Sequence, residues 1–288
     1  IAIGEKALGP EHPDVGTSLI NLADMLTSQR KFDEAKPIYE RAIAIGEKAL
    51  GPEHPDVGKC INTLALLLRV QGKYVEARLL CERAIAIGEK ALGPEDPDVG
   101  KWINQLAGLL RSQGKYDEAR PLCERAISIG EKALGPDHPG LVTHLNDLAN
   151  LLKNQGKFDE AKPLCERAIA IDEKALGPEH PSTAVALESL AVVLAAEGHF
   201  EEAERLALRG LAVLRNARGE THEHTAVGHR ILGWIHGDRG DLEKASKSHE
   251  AALKICEPLE NSNPTKQGAR VGFLVNEARR LRAVGEPH

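Results

Sequence analysis

A sixteen-residue block, IAIGEKALGPEHPDVG, begins at Ile1 and recurs unchanged from Ile43. Beyond this block the first two 42-residue segments share 10 more residues, so that 26 of 42 positions agree. A repeat of this length is typical of arrays in which each supersecondary unit packs against its neighbours. The period predicts six units: 1–42, 43–84, 85–126, 127–168, 169–210 and 211–252. It also predicts a degenerate segment, 253–288, that closes the array with one or more helices.

Each unit carries the pattern of a first amphipathic helix. In unit one, Leu19, Leu22, Ala23 and Leu26 are spaced i, i+3, i+4, i+7, which places them on one helical face. His12 precedes a proline suited to the first helical turn, so it is the expected N-cap. Unit three has aspartate at this position, and aspartate is a preferred N-cap.

A second helix follows after a short turn. The turn position is Arg30 in unit one and glycine in the five later units, and glycine can adopt the positive φ that ends a helix. Ala35, Tyr39 and Ala42 then form the next apolar face. A hairpin of two such helices cannot bury its apolar faces alone, so the hairpins must stack. The predicted fold is therefore all-α, a right-handed α-solenoid of antiparallel helix-turn-helix repeats.

The pattern of large and small residues resembles the tetratricopeptide repeat. It is carried by Leu19, Leu22, Ala23, Leu26, Phe32, Ala35, Tyr39 and Ala42. The 42-residue period, with EKALGPEHPDV and QGKYDEARPLCERA, is similar to the kinesin-light-chain subfamily of these repeats. The resemblance implies that a concave surface lined by the first helices binds a peptide or protein, with asparagine, lysine and arginine holding acidic peptides.

A second stripe on the first helices, off the packing face, is the candidate binding site. In units two to four it contains five cations, four amides and no acid: Lys59, Asn62, Arg69, Lys101, Asn104, Arg111, Asn146, Asn150 and Lys153. The six units together carry a charge of −8, so the stripe does not reflect a general basic excess. Asparagine can bond a peptide backbone, and the cations can pair with acidic side chains, which predicts a site for an acidic linear motif. The alternative is a set of ordinary solvated positions whose cations pair with the chain's own glutamates.

In units five and six the same stripe becomes apolar, with Val185, Val192, Val227 and Trp234. Two interpretations stay open for these residues. They form a second pocket for an aromatic or aliphatic anchor, or they are covered by the C-terminal segment, in which Leu274, Ala278 and Leu281 indicate another helix.

Other residues lead to weaker hypotheses. Trp102 lies beside the stripe, where it either stacks on a ligand or fills an interface. His222 and His224 form a His-x-His pair, but His222 also occupies the capping position of His12, so no metal site is predicted. The chain has five cysteines, an odd number, of which three recur at 42-residue intervals. They are interpreted as small buried hydrophobes in a reducing compartment.

Several classes of function find no support in the sequence. It contains no nucleotide-binding, esterase, zinc-protease or dinucleotide motif, so no catalytic activity and no cofactor are predicted. A net charge of −6 and nine aromatic residues disfavour nucleic acid as a partner. No apolar run is long enough to span a membrane, and no signal peptide is recognisable, so we expect a cytoplasmic location. The absence of an initiating methionine suggests a segment of a longer protein.

The leading hypothesis is a non-catalytic scaffold that binds acidic peptides through the first helices of units two to four. One alternative is the sensor or regulatory arm of a larger signalling ATPase or other enzyme. Another is an architectural array that associates with itself.

Overall fold

A computed structural model describes residues 2–262, with side chains from 4 to 256. The helices run in the order α1 (Ala2–Leu8), α2 (Pro13–Ser28), α3 (Phe32–Leu50), α4 (Pro55–Val70), α5 (Tyr74–Ala91), α6 (Pro97–Ser112), α7 (Tyr116–Leu134), α8 (Val142–Asn154), α9 (Phe158–Leu176), α10 (Pro181–Ala196), α11 (Phe200–Arg218), α12 (Glu223–Arg239) and α13 (Leu242–Ser262). A 3₁₀ turn, Pro139–Leu141, precedes α8. No strand occurs within 2–262, which confirms the all-α class.

The chain divides into two compact units, residues 1–147 and 148–288, and the boundary falls inside α8. Within each unit, helices that are consecutive in the chain pack against each other as hairpins. The first helix of each pair is even-numbered, and the predicted 42-residue segments begin within the second helix. The predicted helix around Leu274, Ala278 and Leu281 lies outside the described residues.

The start of each first helix depends on a side-chain cap. His12 Nδ1 accepts a hydrogen bond of 3.2 Å from the backbone N–H of Asp14, one of the N–H groups that an α-helix leaves without an internal partner. His54, His138, His180 and His222 make the equivalent bond. In unit three Asp96 Oδ1 accepts from the N–H of Asp98 at 2.8 Å. The predicted N-caps are therefore confirmed.

Small residues allow the two helices of a hairpin to approach closely. Ala23 on α2 and Ala35 on α3 are fully buried. Buried alanines occupy the two equivalent positions of the next four hairpins: Ala65, Ala77, Ala107, Ala119, Ala149, Ala161, Ala191 and Ala203. Leucines such as Leu19 and Leu26 fill the seams beside them, and burying each leucine side chain contributes about 1.5–3 kcal/mol.

Ion pairs link the second helices of successive hairpins at a constant spacing. Arg41 pairs with Glu5 at 2.6 Å and Arg125 with Glu89 at 2.7 Å, and Arg83 pairs with Glu47 in the same way. In the second unit Arg209 pairs with Glu173 at 2.6 Å. Exposed pairs of this kind contribute about 0–1 kcal/mol each. As a result, these arginines already have an acidic partner within the chain.

The turn inside each hairpin requires a left-handed residue. Gly72, the second residue after α4, has φ 77°, and the glycines of the later hairpins are also left-handed. Arg30 has φ 61° at the same position, and it is the one residue other than glycine with positive φ in the described chain. A non-glycine residue is strained in this conformation.

We expect Arg30→Gly to raise the free energy of unfolding by about 1 kcal/mol, because relief of backbone strain exceeds the entropy that glycine adds to the unfolded chain. The matched variant Gly72→Arg should destabilise the protein, since it creates the same strain one repeat later. Urea denaturation followed by circular dichroism measures both changes. An unchanged or lower stability of Arg30→Gly would contradict this account of the turn.

Candidate peptide-binding surface

The candidate surface in residues 1–147 is formed by the exposed faces of the first helices, and we call it the first-helix surface. On α4 it contains three of the predicted residues, Lys59, Asn62 and Arg69. Lys59 is exposed, Asn62 is 4% exposed, and Arg69 is half-buried. The helical spacing that suggested these positions therefore brings them to one face, but with unequal access to solvent.

Arg69 is a partly buried cation without an internal acid. Its Nε is buried and has no hydrogen-bond partner, and its guanidinium pairs with no carboxylate of the described chain. Gly108 lies opposite on α6. A Cβ built on this glycine would lie 3.9 Å from Arg69 Nη1, an ordinary van der Waals distance, so the glycine faces the guanidinium without a side chain of its own. Removing a cation from water without a partner is unfavourable, which makes Arg69 a site where an acidic ligand would gain most.

An acid beside the stripe, Asp147 on α8, binds two of the stripe residues. Asp147 accepts a hydrogen bond of 2.7 Å from Asn104 Nδ2 and another of 3.2 Å from Arg111 Nη2. Asp147 follows Asn146 in the sequence and so falls off the stripe. The packing of α6 beside α8 nevertheless brings its carboxylate to Asn104 and Arg111. Arg111 and Asn104 are therefore already bound to an acid of the chain.

The two remaining cations of the stripe, Lys101 and Lys153, also differ in their surroundings. Lys101 pairs with Asp98 on its own helix at 2.7 Å, an exposed i, i+3 contact that is easily exchanged for another partner. Asn150 and Lys153 lie on the second half of α8, in the second unit, and both are half-buried. The Oδ1 atoms of Asn62, Asn104 and Asn146 are buried and have no hydrogen-bond partner.

The repeat position that holds Asn62, Asn104 and Asn146 holds Glu188 on α10. Its side chain is 5% exposed and Oε1 has no hydrogen-bond partner. Burial raises the pKa of Glu188 to about 8, although the nearby charge of Arg230 lowers it. The stripe of this region is interpreted from the sequence as apolar although Glu188 belongs to it, and the sequence did not indicate that this carboxyl group is buried.

The four predicted apolar residues differ in their exposure to solvent. Val185 is 39% exposed and lines a shallow pocket of about 310 Å³ with His180 and Leu214. Trp234 is 44% exposed. Val192 is half-buried, and Val227 packs against the cluster of Ala226, Leu253 and Cys256. Val227 therefore belongs to the α12–α13 interface, because its helix face turns toward α13.

The other residues for which the sequence suggested a possible function are Trp102, the two histidines of the His-x-His pair, and the cysteines. Trp102 is 5% exposed and fills an interface between helices. The rings of His222 and His224 stack with centroids 5.3 Å apart, and within the described chain no three potential ligands gather around a metal site. All five cysteines are buried and unpaired in disulfides. No described helix combines the length and the apolar character that a bilayer span requires.

Comparison with known proteins gives one family. The model of the tetratricopeptide repeat matches residues 1–48, 14–90, 98–161, 142–216 and 186–257. A solved structure of the nearly identical TPR-like repeats of a putative kinesin light chain from Podosopora anserina is 30% identical, with a TM-score of 0.62. That match covers 72% of this chain and 98% of the other. No curated protein matches the sequence.

Two further solved structures share the fold at lower identity. BtubC (BKLC) from P. vanneervenii is 21% identical with a TM-score of 0.65, covering 80% of this chain and 91% of its own. The apo form of RapI is 14% identical with a TM-score of 0.70, covering 94% and 97%.

The burial of Glu188 predicts a specific pH dependence of stability. Between about pH 4.5 and pH 8 the folded state keeps a proton that the unfolded chain releases, so this group makes the free energy of unfolding fall as pH rises. Glu188→Gln removes the ionisation. We expect the variant to gain stability over the wild type from pH 5 to pH 8, by on the order of a few kcal/mol.

Thermal or urea unfolding at the two pH values measures this difference. The exposed Glu166 on α9 provides the control, since Glu166→Gln should leave the pH dependence unchanged. A constant difference between Glu188→Gln and the wild type over this range would show that the carboxyl group is not buried in the folded state.

Proposed function

The chain belongs to the tetratricopeptide repeat family, and from this premise we propose that its first-helix surface binds acidic linear peptides. The chain is a repeat scaffold of the type that mediates protein–protein interaction. In our proposal it performs no catalysis itself. The proposed binding residues of the first unit are the cations and amides of α4 and α6, together with Asn146 on α8. Asn150 and Lys153, which continue the stripe in the sequence, belong to the second unit.

The observation that carries the proposal is the uncompensated charge of Arg69. On the other side of the same hairpins, arginines at a fixed spacing are paired with glutamates of the preceding hairpin or helix. Arg69 has no such acid, and Gly108 presents no side chain to its guanidinium. A peptide carboxylate could form two parallel hydrogen bonds with this group, which a lysine could not reproduce.

Neighbouring groups supply the rest of the site. Lys59 is exposed on the same helix without an ionic partner in the described chain, so it adds positive potential without needing to be released from a salt bridge. The unsatisfied amide oxygen of Asn62 can bond a backbone N–H of an extended peptide once the side chain rotates. Together they favour an acidic peptide over a neutral one.

Arg111 has a different role in this proposal. Its guanidinium and the amide of Asn104 hold Asp147, so a ligand carboxylate must displace or share that contact. We therefore place the main electrostatic contact at Arg69, with Arg111 contributing less.

We expect Arg69→Ala to weaken binding of an acidic peptide by roughly 10- to 100-fold, because a hydrogen bond to a charged group contributes about 1.5–3 kcal/mol. The probe is a fluorescein-labelled peptide of alternating glutamate and serine, titrated in fluorescence anisotropy. High salt should weaken wild-type binding much more than binding by the variant.

Arg83→Ala is the matched control, since it removes an arginine of the same repeat from the opposite side. It should leave the affinity nearly unchanged, and a peptide of alternating lysine and serine should not bind. Wild-type affinity of Arg69→Ala, or equal weakening by both variants, would contradict the proposed site.

A further inference from the structure

Trp102 lies in a slot between α4, α5 and α6 that has two glycines in its wall. A Cβ built on Gly58 would lie 3.2 Å from Trp102 Cη2, and one built on Gly88 would lie 2.6 Å from Trp102 Cζ3. A side chain at Gly88 would therefore collide with the ring, and one at Gly58 would crowd it. The glycine pair makes space for an indole, which is almost completely buried there.

The preceding interface, between α2, α3 and α4, contains the same glycines without the ring. The counterparts of Gly58 and Gly88 are Gly16 and Gly46, and the counterpart of Trp102 is Cys60. A Cβ on Gly46 would meet only Val57 within 4 Å. Cys60 is thus too small to cover the surface that Trp102 covers one repeat later.

The space left at the first interface is a pocket of about 420 Å³, and its lining includes Gly16, Gly46 and Cys60. Its volume is within the range of about 300–1,000 Å³ that is usual for small-molecule sites. Asn21, Asp24 and Lys59 provide polar groups at its edge. Asp24 Oδ1 accepts a hydrogen bond from the hydroxyl of Tyr39, and Oδ2 keeps its capacity to accept another.

The third interface, where α7 meets the start of α8, does not have an open slot. There a Cβ on Gly130 would lie 2.5 Å from Leu141 Cδ2 and 3.7 Å from His144 Cδ2, so the side chains of the chain itself occupy the corresponding space. In two of the three successive interfaces the chain fills this space, and in the first it does not.

We propose that the pocket between α2, α3 and α4 binds a planar bicyclic aromatic ring with an N–H donor, of the indole class. The ring would lie over Gly16 and Gly46, as that of Trp102 lies over Gly58 and Gly88, and its N–H would donate to Asp24. Burial of both faces of the ring supplies the affinity, and the single donor orients it. Lys59 belongs to both this pocket and the proposed peptide site, but Arg69, which carries the peptide proposal, does not line the pocket, so the two proposals can be tested separately.

The experiment titrates indole into the full chain and follows backbone amide shifts by NMR and heat by calorimetry. We expect one site, with the largest shifts at Gly16, Gly46 and Cys60. Cys60→Trp fills the pocket with the side chain that occupies the next one, and it should weaken binding at least about tenfold. Trp102→Cys opens the second slot, so the stoichiometry should rise from one to two.

N-acetyltryptophanamide distinguishes the two sources of such a ring. Binding as tight as that of indole supports a ring carried by a peptide, and binding of indole alone supports a free small molecule. Arg69→Ala should leave indole binding unchanged, so failure of the peptide site and failure of this site are separate results.

The absence of shifts at Gly16 and Gly46 in the wild type, up to the solubility limit of indole, would overturn the proposal. Undiminished affinity in a Cys60→Trp variant that retains the wild-type circular dichroism spectrum would also overturn it. If Cys60→Trp does not fold, the wild-type shifts decide the result.

Discussion

Both units are held together by apolar helix faces that a single hairpin cannot cover. The buried alanines at positions such as Ala23 and Ala35 bring the two helices of a hairpin close, and leucines between hairpins exclude water from the seams. Because this packing uses one face of each helix, the remaining face of the first helix is free to vary. The surface that varies is the one on which binding residues can change without loss of the fold.

The two sides of the hairpins differ in how their charged side chains are paired. Second helices carry arginines and glutamates at a fixed spacing, and these residues pair between successive hairpins. The first helices lack this regular pairing. Arg111 finds Asp147, whereas Arg69 finds no acid. A cation that neighbouring repeats leave uncompensated is a better guide to a binding site than the number of cations, since paired charges must first be separated.

One backbone position illustrates how the repeat acquires different chemistry along the chain. It holds Ile20, Asn62, Asn104, Asn146, Glu188 and Arg230 in the six successive repeats. Asn104 binds a carboxylate, and burial raises the pKa of Glu188 to about 8. The slot of Trp102 changes in a similar way, from Cys60 through Trp102 to His144. Identical backbone geometry thus gives unlike sites because only the side chains and their neighbours differ.

The repeat period, the helix class, the N-caps and the glycine turns could be predicted from the sequence, because each depends on residues a few positions apart. The strain at Arg30 also follows from comparing repeats. Only the tertiary structure decided that Asp147 reaches Arg111, that Val227 packs toward α13, and that Cys60 leaves a pocket open. These features depend on distances between residues that are far apart in the sequence and lie on different helices. A helical period gives the face on which a residue lies, but the packing of neighbouring helices decides what that face meets.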